Sequence, residues 1–128
     1  MKKTITKIPG TSTKIGPYSP GVLAEGRILF VSGQGPWDPA VEKFDRSSIA
    51  HQTRLTLQCV KRVIEAAGGR MEDAVSCRVF LQPLTMDTFT SMNEVYREFW
   101  GEDKPARTTV GATLLNIDVE IDCVVVMK

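Results

Sequence analysis

The stretch from Pro105 through Leu115, continued after Asn116-Ile117-Asp118 by Val119 to Val126, constrains this chain more than any other. Two runs rich in Val, Ile, Thr and Leu flank a short connection, a pattern that predicts two antiparallel strands joined as a hairpin. Side chains alternate across a strand, so Arg107, Thr109, Gly111 and Thr113 share one face and Thr108, Val110, Ala112 and Leu114 the other. In the second run Val119, Ile121, Cys123 and Val125 make an apolar face, with Glu120 and Asp122 opposite. An arginine and two acids thus decorate an apolar β-unit. A tight connection would put Glu120 opposite Leu114 and Arg107 opposite Met127, roughly 20 Å apart along the sheet at ~3.3 Å per residue. A site using both residues is therefore expected between subunits, with Arg107 from one chain and Glu120 from its neighbour.

A length of 128 residues fits one domain with an ordinary core, burying roughly two-thirds of its unfolded surface. The net charge of +1, from 16 basic and 15 acidic side chains, supplies no long-range field to draw the chain onto nucleic acid or anionic lipid. The start, Met1-Lys2-Lys3-Thr4-Ile5-Thr6, lacks the apolar segment of a secretory signal, and no run approaches the ~20 apolar residues of a membrane span. A cytoplasmic protein is expected. Cys59, Cys77 and Cys123 are odd in number and widely spaced among apolar neighbours, which predicts reduced, buried thiols in place of disulfides or a metal knuckle.

Lys2 to Ile8 alternates polar and apolar residues and reads as an edge strand stopped by Pro9-Gly10. Residues 9–21 form a loop in which Gly16-Pro17-Tyr18-Ser19-Pro20 holds the backbone extended and aims Tyr18. Val22–Glu25 and Arg27–Ser32, joined at Gly26, read as a second hairpin ending at Ser32-Gly33-Gln34-Gly35-Pro36. Those glycines can bring backbone N–H groups close to a ligand, although Pro36 removes a donor and no Gly-rich phosphate fingerprint is present. Trp37 to Arg46 is expected to be an exposed loop.

Ser47 or Ser48 then caps a helix running to about Ala67, with Ile49, Gln52, Leu55, Cys59, Val63 and Ala66 on its inner face and Gly68-Gly69 as its stop. His51, the only histidine, reads as a surface residue. Ala74 to Gln82 alternates cleanly as a strand with Val75, Cys77, Val79 and Leu81 inward. Thr85 opens a second helix whose stripe is Met86, Phe89, Met92, Tyr96, Phe99 and Trp100, with Asn93 beside it as a polar residue able to reach a pocket. The order β-β-β-α-β-α-β-β predicts one domain over residues 1–128, an α+β two-layer fold with two helices on a mixed, mainly antiparallel six-stranded sheet. The uncovered face of that sheet, on which Arg107 is placed, is expected to be buried against copies of the chain in a closed cyclic homo-oligomer.

No nucleophile–base pair and no metal-ligand spacing is legible. An arginine holds a carboxylate bidentately and a nearby glutamate can move a proton or orient water, which suits hydrolysis of a small, reactive acid.

Gly16-Pro17-Tyr18-Ser19, Ser32-Gly33-Gln34, Gln52-Thr53, Ala66-Ala67-Gly68, Phe89 with Asn93-Glu94-Val95-Tyr96 and Phe99, Pro105 to Val110, and Val119-Glu120-Ile121 occur in the order found in one family. The chain resembles the RidA/YjgF reactive-intermediate deaminases nearly end to end. The resemblance implies a chorismate-mutase-like fold and a homotrimer with its sites in clefts between subunits. It also implies hydrolysis of enamines and imines such as 2-aminoacrylate to 2-oxo acids and ammonia, without cofactor or metal. By the same resemblance Arg107 grips the substrate carboxylate and Glu120 positions water or passes protons. Tyr18, Ser32, Gly33, Phe89, Asn93 and Thr109 shape the pocket. The chain departs from the family at Leu115-Asn116 (often Leu-Pro), at Gln58 (Asn), at Gly35 (aliphatic) and in a shorter turn before Val119, which leaves Asp122 as an alternative to Glu120. The competing functions are a non-catalytic trimer that senses a small carboxylate and, more remotely, RNA cleavage or translation inhibition.

Overall fold

The computed structural model describes residues 1–10 and 16–128; the middle of the predicted 9–21 loop lies outside the described residues. Among the described residues eight strands and two α-helices follow in the order β1 (Lys2–Ile5), β2 (Gly21–Ala24), β3 (Arg27–Gln34), β4 (Trp37–Asp38), β5 (Lys43–Phe44), α1 (Ile49–Ala66), β6 (Ala74–Leu81), α2 (Met86–Tyr96), β7 (Ala106–Gly111) and β8 (Val119–Met127). Two helices on a mixed, mainly antiparallel sheet give the α+β class read from the sequence.

The strand pairing differs from the sequence expectation in three ways. The main sheet has four strands, ordered β3-β8-β6-β7, rather than six, while β1 pairs only with β2 and β4 only with β5. The expected hairpin across Gly26 is absent because β2 joins β1 and β3 joins β8. Gly26 is the crossing point: a Cβ there would lie 2.4 Å from the Met127 carbonyl oxygen, and its φ is +150°. Finally, β7 and β8 do not form a hairpin. β6 lies between them, parallel to β7 and antiparallel to β8, so the register of Arg107 with Met127 and of Glu120 with Leu114 is replaced by Cys77 with both Arg107 and Cys123, and Phe80 with both Val110 and Glu120. Periodicity shows that a strand exists but not which neighbour wins it; here a buried β6, flanked on both edges, outcompetes the local turn.

That turn has its own tether. The Gln52 side chain, fully buried on α1, accepts from the Asp118 N–H at 2.9 Å and donates to the Asp118 carboxylate at 3.0 Å. Asn116 takes a left-handed φ of 57°, and Ile117 is buried beside it. The connection is thus pinned to α1 instead of folding β8 back onto β7.

The core lies between the helices and one face of the sheet. Val31, Cys77, Val79, Leu81, Val119, Ile121, Cys123 and Val125 meet Leu57, Val60 and Ile64 of α1 and Met92 and Tyr96 of α2. Each such side chain contributes roughly 1.5–3 kcal/mol by leaving water. Ser48 caps α1 by accepting from the His51 N–H, and Thr85 caps α2 by accepting from the Thr88 N–H. The inner face of α1 is broader than the predicted stripe. Thr53, Thr56, Leu57, Val60 and Ile64 are buried, Val63 only partly and Ala66 not at all, because the sheet takes one flank and β4 covers the Cys59 flank. In β6 an irregularity between Ala74 and Ser76 gives the inward position to Ala74 instead of Val75. Met86, expected inside, is 77% exposed. All three cysteines are free and buried, and the Cys77 and Cys123 thiols touch across β6 and β8. Among the described residues no helix is long and apolar enough to cross a membrane.

Candidate functional site

Arg107 does not lie on the open face. Its partner in register, Cys77, is a core residue, so the arginine points to the helix side of the sheet and meets α2. The spacing 89, 92, 93, 96 presents Phe89, Met92, Asn93 and Tyr96 on one face of that helix. The guanidinium carbon is 5.5 Å from the Phe89 ring centre and 4.9 Å from that of Tyr96, within cation–π range. Nη1 donates to Asn93 Oδ1 at 2.7 Å. Burial pulls the arginine's pKa below its usual value, opposed by the neighbouring Tyr96 and Tyr18 hydroxyls and the Cys77 thiol. Even so, a guanidinium stays cationic at neutral pH.

The third ring is Tyr18, with its centre 5.0 Å from the same carbon. Two bonds bring it there: Ser19 N–H donates to Pro105 C=O at 3.1 Å, and Ser19 Oγ donates to Lys104 C=O at 2.5 Å. The loop is thereby tied to the residues that lead into β7. Gly16 lets the ring fold back over the loop, because a Cβ at that position would fall 2.7 Å from Tyr18 Cε2. Thr109 is the next residue of β7 on Arg107's face, and its Oγ1 is buried without a hydrogen-bond partner. Arg107, Tyr18, Phe89 and Asn93 therefore converge in one place, with Thr109 next along the same strand face.

Glu120, Ser32 and Gly33 gather elsewhere. The even-numbered residues of β8 face away from the helices, and Glu120 is among them. β3 bulges between Val31 and Gln34, which turns Gly33 towards that open face. A Cβ on Gly33 would fall 2.8 Å from Glu120 Oε2, so glycine is what lets the carboxylate lie against the β3 backbone. Exposed Ser32 precedes it, and its carbonyl accepts from Gln34 Nε2 at 3.1 Å.

Asp122, the alternative acid, is occupied. Arg78 Nη2 holds its Oδ2 at 2.6 Å and Arg78 Nε reaches both oxygens at 3.1 Å. Glu120 has no ion pair or side-chain hydrogen bond among the described residues, so it is the carboxylate left available.

The register replaces the ~20 Å separation read from the sequence with about 14 Å between Arg107 and Glu120, three residues along and two strand spacings across. The two side chains point to opposite faces, with Arg107 on the helix-covered face and not on the uncovered one where the sequence reading put it. Tyr96 and Met92 were read as core alone; their spacing from Phe89 and Asn93 on one helix was the signal that they also floor the arginine's pocket. Tyr96 is fully buried, and burial, reinforced by the Cys77 thiol, raises its phenol pKa well above the ordinary value. It acts as an aromatic floor, not as an acid.

A family profile described as Endoribonuclease L-PSP matches residues 10–127. The chain is 43% identical over 108 residues to a RutC family protein of Pyrococcus horikoshii, covering 84% of this chain and 83% of that protein. It is 40% identical over 122 residues to a RutC family protein of Pyrococcus abyssi, with 95% and 94% covered. Among solved structures, Escherichia coli TdcF with bound serine superimposes with a TM-score of 0.71 at 29% identity, covering 98% of this chain and all of that one. A Rid family protein from Yersinia pestis superimposes with a TM-score of 0.86 at 22% identity, with 98% of each chain covered, a likeness of fold.

Proposed function

The chain belongs to the RidA/YjgF family, and from that premise we propose that it hydrolyses reactive enamine and imine acids of the 2-aminoacrylate kind to 2-oxo acids and ammonia, in clefts between the subunits of a homotrimer. The observation that carries this reading is the setting of Arg107. Its guanidinium is fixed by Asn93 and three aromatic rings, and only Nη1 is engaged by Asn93, which leaves the other N–H groups for a carboxylate. Serine, the ligand of the TdcF structure, is a small amino acid carrying such a carboxylate.

In this mechanism the imine carbon accepts water. Glu120 from the neighbouring chain takes a proton from that water as the C–O bond forms and passes it to nitrogen, giving the carbinolamine; it then takes the hydroxyl proton as the C=O bond forms and delivers it to nitrogen as the C–N bond breaks and ammonia leaves. Imines hydrolyse unaided in water, so positioning and one charge-assisted pair suffice. The site needs no metal or cofactor for that chemistry.

Ammonia release from 2-aminoacrylate generated in the assay tests the proposal. Acceleration by the wild type that disappears in Arg107→Ala supports it, whereas a well-folded wild type that does not exceed the uncatalysed rate sinks it. A second reading, small-carboxylate binding without turnover, is favoured by the same Arg107 setting and is distinguished by Glu120→Gln, which should leave ligand binding intact in either case but abolish turnover only in the first. RNA cleavage has the family profile's description in its favour, but a net charge of +1 and a lone exposed His51 give it no support here.

A further inference from the structure

The helix-facing row of β7 runs Arg107, Thr109, Gly111, from a fixed cation towards an apolar recess. Leu84 packs onto Gly111: a Cβ at 111 would stand 3.0 Å from Leu84 Cβ, so the missing side chain makes room for the segment that leads into α2. Leu84, Thr85, Met86 and Phe89 line a cavity of about 320 Å³. Phe89 is the shared wall, since its ring also lies 5.5 Å from the Arg107 guanidinium. Leu84 is 45% exposed and Met86 77% exposed, two large apolar side chains left open beside a charged site. Thr109 stands between Arg107 and Gly111 on this row, with its Oγ1 buried. An orienting cation and an adjoining apolar hollow that share the Phe89 wall are the parts of a small-molecule pocket.

We propose that this recess is the side-chain subsite of the Arg107 site and selects 2-imino acids bearing a branched aliphatic or aromatic side chain over the three-carbon imine. The inference rests on the deaminase reading above and deepens it. With the carboxylate on Arg107, the substituent on the α-carbon continues along β7 past Phe89. The three-carbon acid has a single methyl to offer and leaves the recess empty. A four-carbon branched side chain passes Phe89 and covers Leu84 and Met86. Thr85 stays out of the selection because its hydroxyl caps α2.

The test compares kcat/KM for the three-carbon imine and for 2-imino-4-methylpentanoate, each generated in the assay from its parent amino acid, in the wild type and in the double variant Leu84→Ser, Met86→Ser. The wild type should prefer the branched substrate about tenfold or more, and the ratio should fall about tenfold in the variant, the size expected when apolar pocket contacts are lost. Equal wild-type values, or a loss in the variant that leaves the ratio unchanged, overturn the subsite. So does a change in sedimentation behaviour confined to the variant, which would assign the recess to a second copy of the chain. If neither imine is accelerated, the deaminase reading fails separately, and calorimetry with pyruvate and 4-methyl-2-oxopentanoate decides the subsite. Tighter binding of the longer acid, lost in the variant, upholds it, and equal affinities reject it.

Discussion

Arg107 and Glu120 stand on opposite faces of one sheet, with β6 between their strands and the arginine turned towards α2. A single chain therefore carries two half-sites: a cation caged by Tyr18, Phe89 and Tyr96, and a free carboxylate resting on Gly33. If catalysis needs both, a closed ring of subunits must bring one chain's arginine to the next chain's glutamate.

Mixing inactive variants tests that arrangement. Arg107→Ala and Glu120→Gln should each be inactive alone. Unfolded together and refolded as mixed oligomers, they should regain about one quarter of the wild-type sites, because each site draws one intact residue from each of two chains. A site built within one chain would regain nothing.

Much of this was open to sequence reasoning because alternation is local. Val119, Ile121, Cys123 and Val125 are buried and Glu120 and Asp122 face the other way, as period two requires. The caps at Ser48 and Thr85 were equally local, read from a hydroxyl before an apolar-periodic run. Pairing is not local. That β6 inserts between β7 and β8 depends on which strands together bury Cys77, Val79 and Leu81. It also depends on the buried Gln52 holding Asp118, a contact made between residues 66 positions apart. The face of Arg107 followed from that pairing, so the sequence reading named residues that meet around the arginine but put the arginine itself on the wrong side of the sheet.

Asn93 fixes the direction of the guanidinium, and replacing it frees a side chain with many rotamers. Asn93→Ala should raise KM about tenfold while kcat falls less, since the bond acts on a charged group that serves binding. Steady-state kinetics separate the two parameters; an unchanged KM would leave Asn93 without a positioning role.

Gly33 should be intolerant of any side chain. In Gly33→Ala the new methyl needs the space of Glu120 Oε2, so the carboxylate must swing away from the bulge. Turnover is expected to fall about 10- to 100-fold, as for a catalytic group displaced by an ångström. Carboxylate binding through Arg107, measured by calorimetry, should persist. Loss of binding with turnover would mean that the bulge serves more than Glu120.

Thr109 buries a hydroxyl with no partner. Such a group costs about 1–3 kcal/mol when its water is stripped away, and an isosteric apolar replacement relieves that cost. Thr109→Val should therefore raise unfolding stability in urea by about 1 kcal/mol while leaving KM within about twofold. A variant that is less stable would mean that the hydroxyl finds a partner in solution.

Asp118 should make the fold sensitive to acid. Burial by itself would raise its carboxyl pKa, but hydrogen bonds from Gln52 and Arg46 outweigh burial and the net shift is downward from 3.8. A carboxyl with a depressed folded pKa holds fewer protons in the native state than in the unfolded chain across that interval, so its contribution is complete above about pH 4 and is lost as the pH falls through the native value. Urea midpoints measured between about pH 2 and 5 should drop for the wild type and drop less for Asp118→Asn, which has no proton to take up. Asp118→Asn should also be less stable at neutral pH, because the amide cannot pair with Arg46 as a charge, and an NH2 facing Gln52 Nε2 cannot accept its bond. Parallel wild-type and variant curves at low pH would move the acid sensitivity to another carboxyl and leave the Gln52–Asp118 tether a matter of geometry alone.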